Sequence, residues 1–241
     1  MVDINGDQEK VKNFLQGQIT SDINKVSNDS FHLSSICNQK GLVMADFLIS
    51  KYDNKFKIII NYELIDIFIE ELTPFAKFFG VSFSETYDYV CASIESRPFS
   101  ETVFLQNNDF ALSVSIKKEI KHIAKTISEE EWSIANMLCG NFYLTKKNVG
   151  KYRPLEINYD KKRVSFDKGC FRGQEIVARM KYLGIDRRKF CTIVSQSEIA
   201  ENKDILILGE TLKHKDIFIC LSIIKKNFIE VLREDPSITI I

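Results

Sequence analysis

Proline is scarce in this sequence, with four among 241 residues, too few for a proline-rich linker or a polyproline ligand. Net charge is absent, with 33 basic residues against 33 acidic ones, so overall charge gives no argument for a polyanionic partner. The six cysteines, Cys37, Cys91, Cys139, Cys170, Cys191 and Cys220, form no C-x-x-C pair. The three histidines, His32, His122 and His214, lie far apart and fit no metal-ligand spacing with them, so no metal site is expected. No P-loop, G-x-G-x-x-G or G-x-S-x-G occurs, which removes the common nucleotide and α/β-hydrolase signatures. No apolar run approaches the ~18 residues of a membrane span. The first residues also lack a basic stretch followed by an apolar one. The expectation is therefore a cytoplasmic chain, away from membranes, with free thiols. No internal repeat or low-complexity tract is visible.

What is present suits a packed core. Apolar residues make up 44% and charged residues 27%, and the length allows one large domain or two ordinary ones. Between Lys146 and Lys189 stand 14 basic and 5 acidic residues. Such a segment is either a solvated face or a landing strip for phosphate or carboxylates. The run from Lys117 to Lys125 reads as a solvated face.

Val11, Phe14, Leu15 and Ile19 recur at helical spacing behind Asp7, an N-cap residue type. Residues 30–50 read as two strands around the turn Asn38-Gln39-Lys40-Gly41, and Phe56 to Asn61 as a third. Leu64, Ile65, Phe68, Leu72 and Phe75 mark an amphipathic helix. Short strands follow at Val81 to Phe83, Tyr89 to Ile94, Thr102 to Leu105 and Phe110 to Ser115. Ser128 with Glu131 is a capping box for a helix that puts Trp132, Ala135 and Cys139 on one face. After Gly184 short apolar runs alternate with polar turns: Phe190 to Val194, Ile205 to Leu208, Ile217 to Ile224 and Phe228 to Leu232. All four read as strands of a small all-β unit, with a boundary near residue 185.

The chemistry concentrates in Lys168-Gly169-Cys170-Phe171-Arg172-Gly173-Gln174-Glu175. Ile176, Val177, Met180 and Leu183 give the residues that follow a helical apolar face. Cys170 thus precedes a helix N-terminus and has a cation on either side, surroundings that favour the reactive thiolate. A half-buried loop filler is the plainer reading of the same residue.

The octapeptide matches the K-G-C-[YF]-x-G-Q-E signature of the YgfZ proteins at every fixed position. Phe14-Leu15-Gln16-Gly17-Gln18 with Thr20 and Asp22 resembles their L-Q-G-Q-T-D element. Cys37-Asn38-Gln39-Lys40-Gly41 resembles their C-N-x-K-G turn, and Pro154-Leu155-Glu156 with Asn158 resembles the segment leading into the cysteine loop. On these residues the chain resembles YgfZ-type folate-binding proteins, relatives of the glycine-cleavage T-protein in the aminomethyltransferase superfamily. The resemblance runs from about residue 5 to 190.

The resemblance implies an α+β fold. Residues 1–184 would form a three-lobed aminomethyltransferase-like folate-binding body and residues 185–241 a small C-terminal β-barrel. It implies tetrahydrofolate or a one-carbon derivative as ligand, with Trp132, Gln174 and Glu175 as folate-binding residues and Cys170 as candidate catalytic thiol. It implies an accessory role in iron–sulfur cluster assembly or repair and, through iron–sulfur client enzymes, in tRNA modification. Asp46 follows Gly41 by five, near where the related transferases keep a carboxylate close to the reacting folate nitrogen. Here Ala45 replaces a second acid, which argues against glycine-cleavage aminomethyl transfer; a lone exposed carboxylate is the other reading of Asp46. A folate-dependent aminomethyltransferase and a non-enzymatic RNA- or protein-binding module stand as alternatives. The tyrosines among the cations of 146–163 leave direct RNA contact open.

Overall fold

The computed structural model describes residues 1–28, 30–97, 102–119, 126–184 and 187–241. Within them twelve strands form three antiparallel sheets. The first is built from β1 (Val2–Asn5), β2 (His32–Cys37), β3 (Val43–Tyr52), β4 (Lys55–Ile60) and β5 (Ser82–Glu85), in the order β2-β3-β4-β1-β5. The second joins β6 (Tyr89–Glu95), β7 (Val103–Gln106) and β8 (Ala111–Lys117), with β8 central. The third joins β9 (Arg188–Ser195), β10 (Ile205–His214), β11 (Ile217–Lys225) and β12 (Ile238–Ile240) in the order β10-β11-β9-β12. The helices are α1 (Gln8–Gln18), α2 (Ile65–Phe79), α3 (Glu129–Leu138), α4 (Tyr159–Lys162), α5 (Gln174–Leu183) and α6 (Lys226–Arg233).

The first sheet is buried on both faces, which explains why β3 carries an almost unbroken apolar run. Val43, Ala45, Phe47 and Ile49 pack into the main core with Phe14 and Leu15 of α1 and Phe68 and Leu72 of α2. Leu33 and Leu48 point the other way, into a second core with Leu112, Val114 and Ile116 of β8 and Ala135 of α3. The helix ends follow their sequence signals. Asp7 accepts from the Lys10 amide, Ser128 and Glu131 complete their capping box, and Gly80 closes α2 in a left-handed conformation. Each such cap is worth ~1 kcal/mol.

Two expectations for the C-terminal part need correction. The third sheet is open, because β10 and β12 are its edges and do not pair with each other; the described residues form no closed barrel. Residues Phe228 to Leu232, expected as a strand, lie in α6. Phe228, Ile229 and Leu232 are spaced one, three and four apart, a helical stripe that packs against Cys191, Ile193 and Cys220 of the sheet. The opposite face of this sheet joins the main core through Leu208, Leu221 and Ile223. The expected boundary residue 185, His122, and residues 120–125 of the lysine run fall outside the described residues.

Candidate functional site

Three of the segments singled out in the sequence meet in space. In the first, Gln16 donates to Asp22 at 3.1 Å and accepts from the Ile23 amide at 3.0 Å. This bridges the end of α1 to the short 3-10 turn Ile23–Lys25. Thr20 donates to the Arg163 carbonyl at 2.7 Å and accepts from the Ser35 amide at 3.1 Å. In the second, Asn38 closes the turn by accepting from the Lys40 and Leu42 amides. The third, the cysteine loop, lies against both. Gly173 has φ +82°, and a Cβ there would collide with the Asn38 carbonyl oxygen. Gly41 has φ +69°, and its missing Cβ leaves room for Ile176 of α5. Glycine is needed at both positions, for the left-handed backbone and for the close approach.

The loop is anchored at nearly every residue except its thiol. Lys168 is buried and donates to the carbonyls of Ile19 and Ser21 at 2.7 and 2.9 Å. Burial pushes its amine down to about 8, against the pull of Asp22. Phe171 is buried, and its amide donates to the Gln174 side-chain oxygen at 3.2 Å. The Arg172 amide donates to the Gly17 carbonyl at 3.1 Å. The Arg172 guanidinium reaches α2, 2.7 Å from the Glu71 carboxylate and over the Phe75 ring. Cys170 stands exposed in the middle. Lys168 and Arg172, expected to act on the thiol, both anchor the loop through their own partners.

Beside this unit lies a cleft of about 450 Å³, within the size range of small-molecule sites. Its walls come from segments 21–25 and 30–33, from Val103 and Phe104 of β7, and from 161–165. Phe31, His32 and Phe104 supply ring surface; Lys25, Lys161 and Lys162 supply positive charge. Burial, and then the Lys25 cation, hold the His32 imidazole below its ordinary range. Ser21 connects cleft and loop, since it lines the one and its carbonyl accepts from Lys168 of the other.

The sequence-derived folate residues are placed variously. Trp132 is half-buried in the second core and stands one ring behind the cleft, its centroid 6.2 Å from Phe104. Gln174 caps the cysteine loop, and Glu175 is exposed on the first turn of α5. Neither is among the cleft-lining residues.

Asp46 is not the exposed carboxylate of the alternative reading. It is buried, 3.1 Å from the Arg163 guanidinium, and accepts from the Leu144 amide at 3.1 Å. Burial pushes its carboxyl up, opposed by Arg163 and by hydrogen bonds. Arg163 also donates to the Ser34 and Phe47 carbonyls and to Asn141, and lies over the rings of Tyr143 and Tyr159. Sequence reasoning missed Arg163, Lys25, His32, Phe31 and Phe104. Arg163 sits third in Lys161-Lys162-Arg163, where nothing local separates an interior cation from two outer ones.

No family model matches the chain. Among curated proteins, it is 26% identical over 225 residues to a protein named tRNA-modifying protein YgfZ from Vibrio atlanticus, covering 84% of this chain and 68% of that one. A protein of the same name from Buchnera aphidicola is 26% identical over 220 residues, covering 78% of this chain and 69% of its own. Both of these relatives bear the name YgfZ. Among solved structures, the glycine cleavage system aminomethyltransferase T from Bartonella henselae superposes with a TM-score of 0.64, over 94% of this chain and 76% of that one, at 11% identity. That likeness is one of fold. The YgfZ likeness and the fold agree with the octapeptide around Cys170 and with the mixed α/β architecture. Among the described residues, no helix is long and apolar enough to cross a membrane.

Proposed function

We propose that this chain binds tetrahydrofolate or a one-carbon derivative in the cleft beside the cysteine loop, and that Cys170 is the working thiol of an accessory protein for iron–sulfur enzymes. These relatives are named tRNA-modifying proteins; on this reading the role in tRNA modification extends to this chain through such client enzymes. The observation that carries the proposal is the anchoring of an exposed Cys170 by Lys168 onto Ser21, a residue of the cleft wall. The residues fit the ligand. Phe31, Phe104 and His32 suit flat heteroaromatic rings, and Lys25 and Lys161 suit carboxylates. When bound, the folate supplies a carrier for one-carbon units; the chain supplies walls, charge and a thiol held at a fixed place.

Aminomethyl transfer is disfavoured by Asp46, whose carboxylate is engaged by Arg163 and the Leu144 amide rather than lining the cleft. The expected cytoplasmic location and the two-part division at residue 185 remain parts of the same proposal, and direct RNA contact belongs to the alternative of a nucleic-acid module. Titration with tetrahydrofolate, followed through the emission of Trp132, tests it. Trp132 touches the wall ring Phe104, so saturable quenching is expected. Trp132→Ala, followed by calorimetry, should weaken binding by ~1–3 kcal/mol through loss of support for that ring. An absence of saturable binding by both methods refutes the folate reading. Steeply salt-dependent RNA binding in its place would favour a nucleic-acid module.

A further inference from the structure

The edges of the three sheets are short or irregular with one exception, and both devices discourage pairing with a further strand. The register of β2 breaks between Ile36 and Cys37, and that of β10 between Leu208 and Leu212. β5 has four residues and β12 has three. β7 has four residues and a break between Val103 and Leu105. The exception is β6. Its seven residues, Tyr89 to Glu95, run in unbroken register along β8 and include no proline, glycine or lysine. Among the described residues no strand lies on its other side.

The same strand carries an unfinished apolar face. Val90, Ala92 and Ile94 stand opposite Ile116, Val114 and Leu112 of β8, and residues paired in this way share a face of the sheet. The β8 side chains are buried in the second core, whereas Val90 is 39% and Ile94 37% exposed. Ala92 is exposed as well. The core therefore runs out at β6, along an edge whose backbone can accept another strand.

We infer that β6 pairs antiparallel with β6 of a second copy of this chain, about a two-fold axis at Ala92. Such an axis needs a residue that faces its own copy, and centring on Ala92 is the choice that pairs the whole strand. It sets Val90 against the partner's Ile94 on both sides of the axis, a β-branched pair of the kind that stabilises sheets. Ala92 meets its own copy, and two small side chains fit there. Charge agrees with this register. Glu95, the one charged residue of β6, falls opposite the partner's Tyr89, and Tyr89 stands opposite the exposed Lys117 of β8. Each such row holds an acid, a ring and a lysine, and no like charges meet. The result is a single sheet running from β7 of one copy to β7 of the other. β7, whose Phe104 lines the cleft, lies on the far side of β8 from this contact, so the cleft wall is untouched by it.

Sedimentation equilibrium of the full chain tests it, with Ala92→Lys and Ala92→Glu as variants. Because two short strands make a small interface, the wild type is expected to pass from one chain to two with a Kd on the order of 10 μM. Each variant places two like charges face to face on the axis and should stay a single chain, since like charges directly opposite are destabilising. An equimolar mixture of the two variants sets lysine against glutamate and should recover the two-chain species. Mixing cannot repair a misfolded variant, so recovery identifies the axis. A wild type that stays a single chain up to about 200 μM overturns the inference, whether the edge is then taken by another protein or by none. Variants that associate as the wild type does, or a mixture that recovers nothing, overturn it as well.

Discussion

The Arg163 guanidinium lies 3.1 Å from the Asp46 carboxylate, with neither side chain reached by solvent. The pair ties β3 to the segment that runs into the cysteine loop. Removing one member leaves the other charge buried and uncompensated. Asp46→Asn and Arg163→Met should each cost ~3–5 kcal/mol of stability in urea unfolding. The double substitution Asp46→Leu/Arg163→Met should cost clearly less than the sum. Additive losses would show that the two charges do not depend on each other.

The two glycines of the cysteine loop should respond oppositely to alanine. Gly169 has nothing within 4 Å of the position a Cβ would take and no left-handed backbone. Gly169→Ala is expected to stay within ~0.5 kcal/mol of the parent. Gly173 has φ +82° and faces the Asn38 carbonyl. Gly173→Ala is expected to cost ~2 kcal/mol or more, since strain and collision act together. Thermal unfolding of the two variants side by side decides it; equal effects would mean that the loop does not dock on the turn.

Cys170 should be the first thiol to react with limiting iodoacetamide at neutral pH. It is exposed, whereas Cys37, Cys139, Cys191 and Cys220 are buried and Cys91 is half-buried. Burial also pushes the Cys37 thiol up to about 12 and those of Cys139 and Cys220 to about 11, which starves them of thiolate. A lead of about tenfold over Cys91 is expected from exposure alone. Peptide mapping by mass spectrometry reads the order. Earlier labelling of any other cysteine contradicts it. Support of iron–sulfur enzymes by Cys170→Ala at wild-type level would reduce the loop to a structural turn.

Lys168 makes a pH-dependent contribution whose sign is fixed by its burial. In the folded chain burial brings its amine down to about 8, below the ordinary lysine value of 10.5. Between those values the folded chain has lost the proton and the unfolded chain keeps it, so unfolding takes up a proton and stability rises with pH. Below about 8 both states are charged and the gain is gone. The stability of the wild type relative to Lys168→Met should therefore climb by about 1–2 kcal/mol from pH 8 to 10, given the value near 8. A flat or falling difference in paired urea titrations would refute the assignment.

The parts of the fold written in local chemistry were legible in the sequence. Asp7 and Ser128 start helices by hydrogen bonds made within a few residues. The apolar runs of 30–60, broken at the turn Asn38 to Gly41, give β2, β3 and β4 directly. The short run Phe228 to Leu232 was not legible, because five residues rich in branched and aromatic side chains satisfy a strand and a helix alike. Whether the last sheet closes depends on its edges, which no single strand encodes. At the site, the octapeptide located the cysteine loop, and its exposed thiol followed. The roles of its neighbours did not follow. Lys168 and Arg172 flank Cys170 in sequence, yet one turns inward to Ile19 and Ser21 and the other across to Glu71. Asp46 looked like a reacting group because its partner stands far along the chain, at Arg163. The cleft itself gathers short stretches from four segments far apart in the chain, which no local pattern joins.

The last sheet serves two interiors at once, with Leu208, Leu221 and Ile223 turned to the body and Cys191, Ile193 and Cys220 turned to α6. A blade inserted so deeply is a lid that cannot be lifted without wetting the room beneath it. A shortened chain ending at Gly184 would present a greasy scar to solvent, and such surfaces drive clumping. The dependence runs both ways, because the sheet released alone would carry the matching scar. Melting should accordingly be a single event for the whole molecule, and recombinant halves should be recovered only when they are made together.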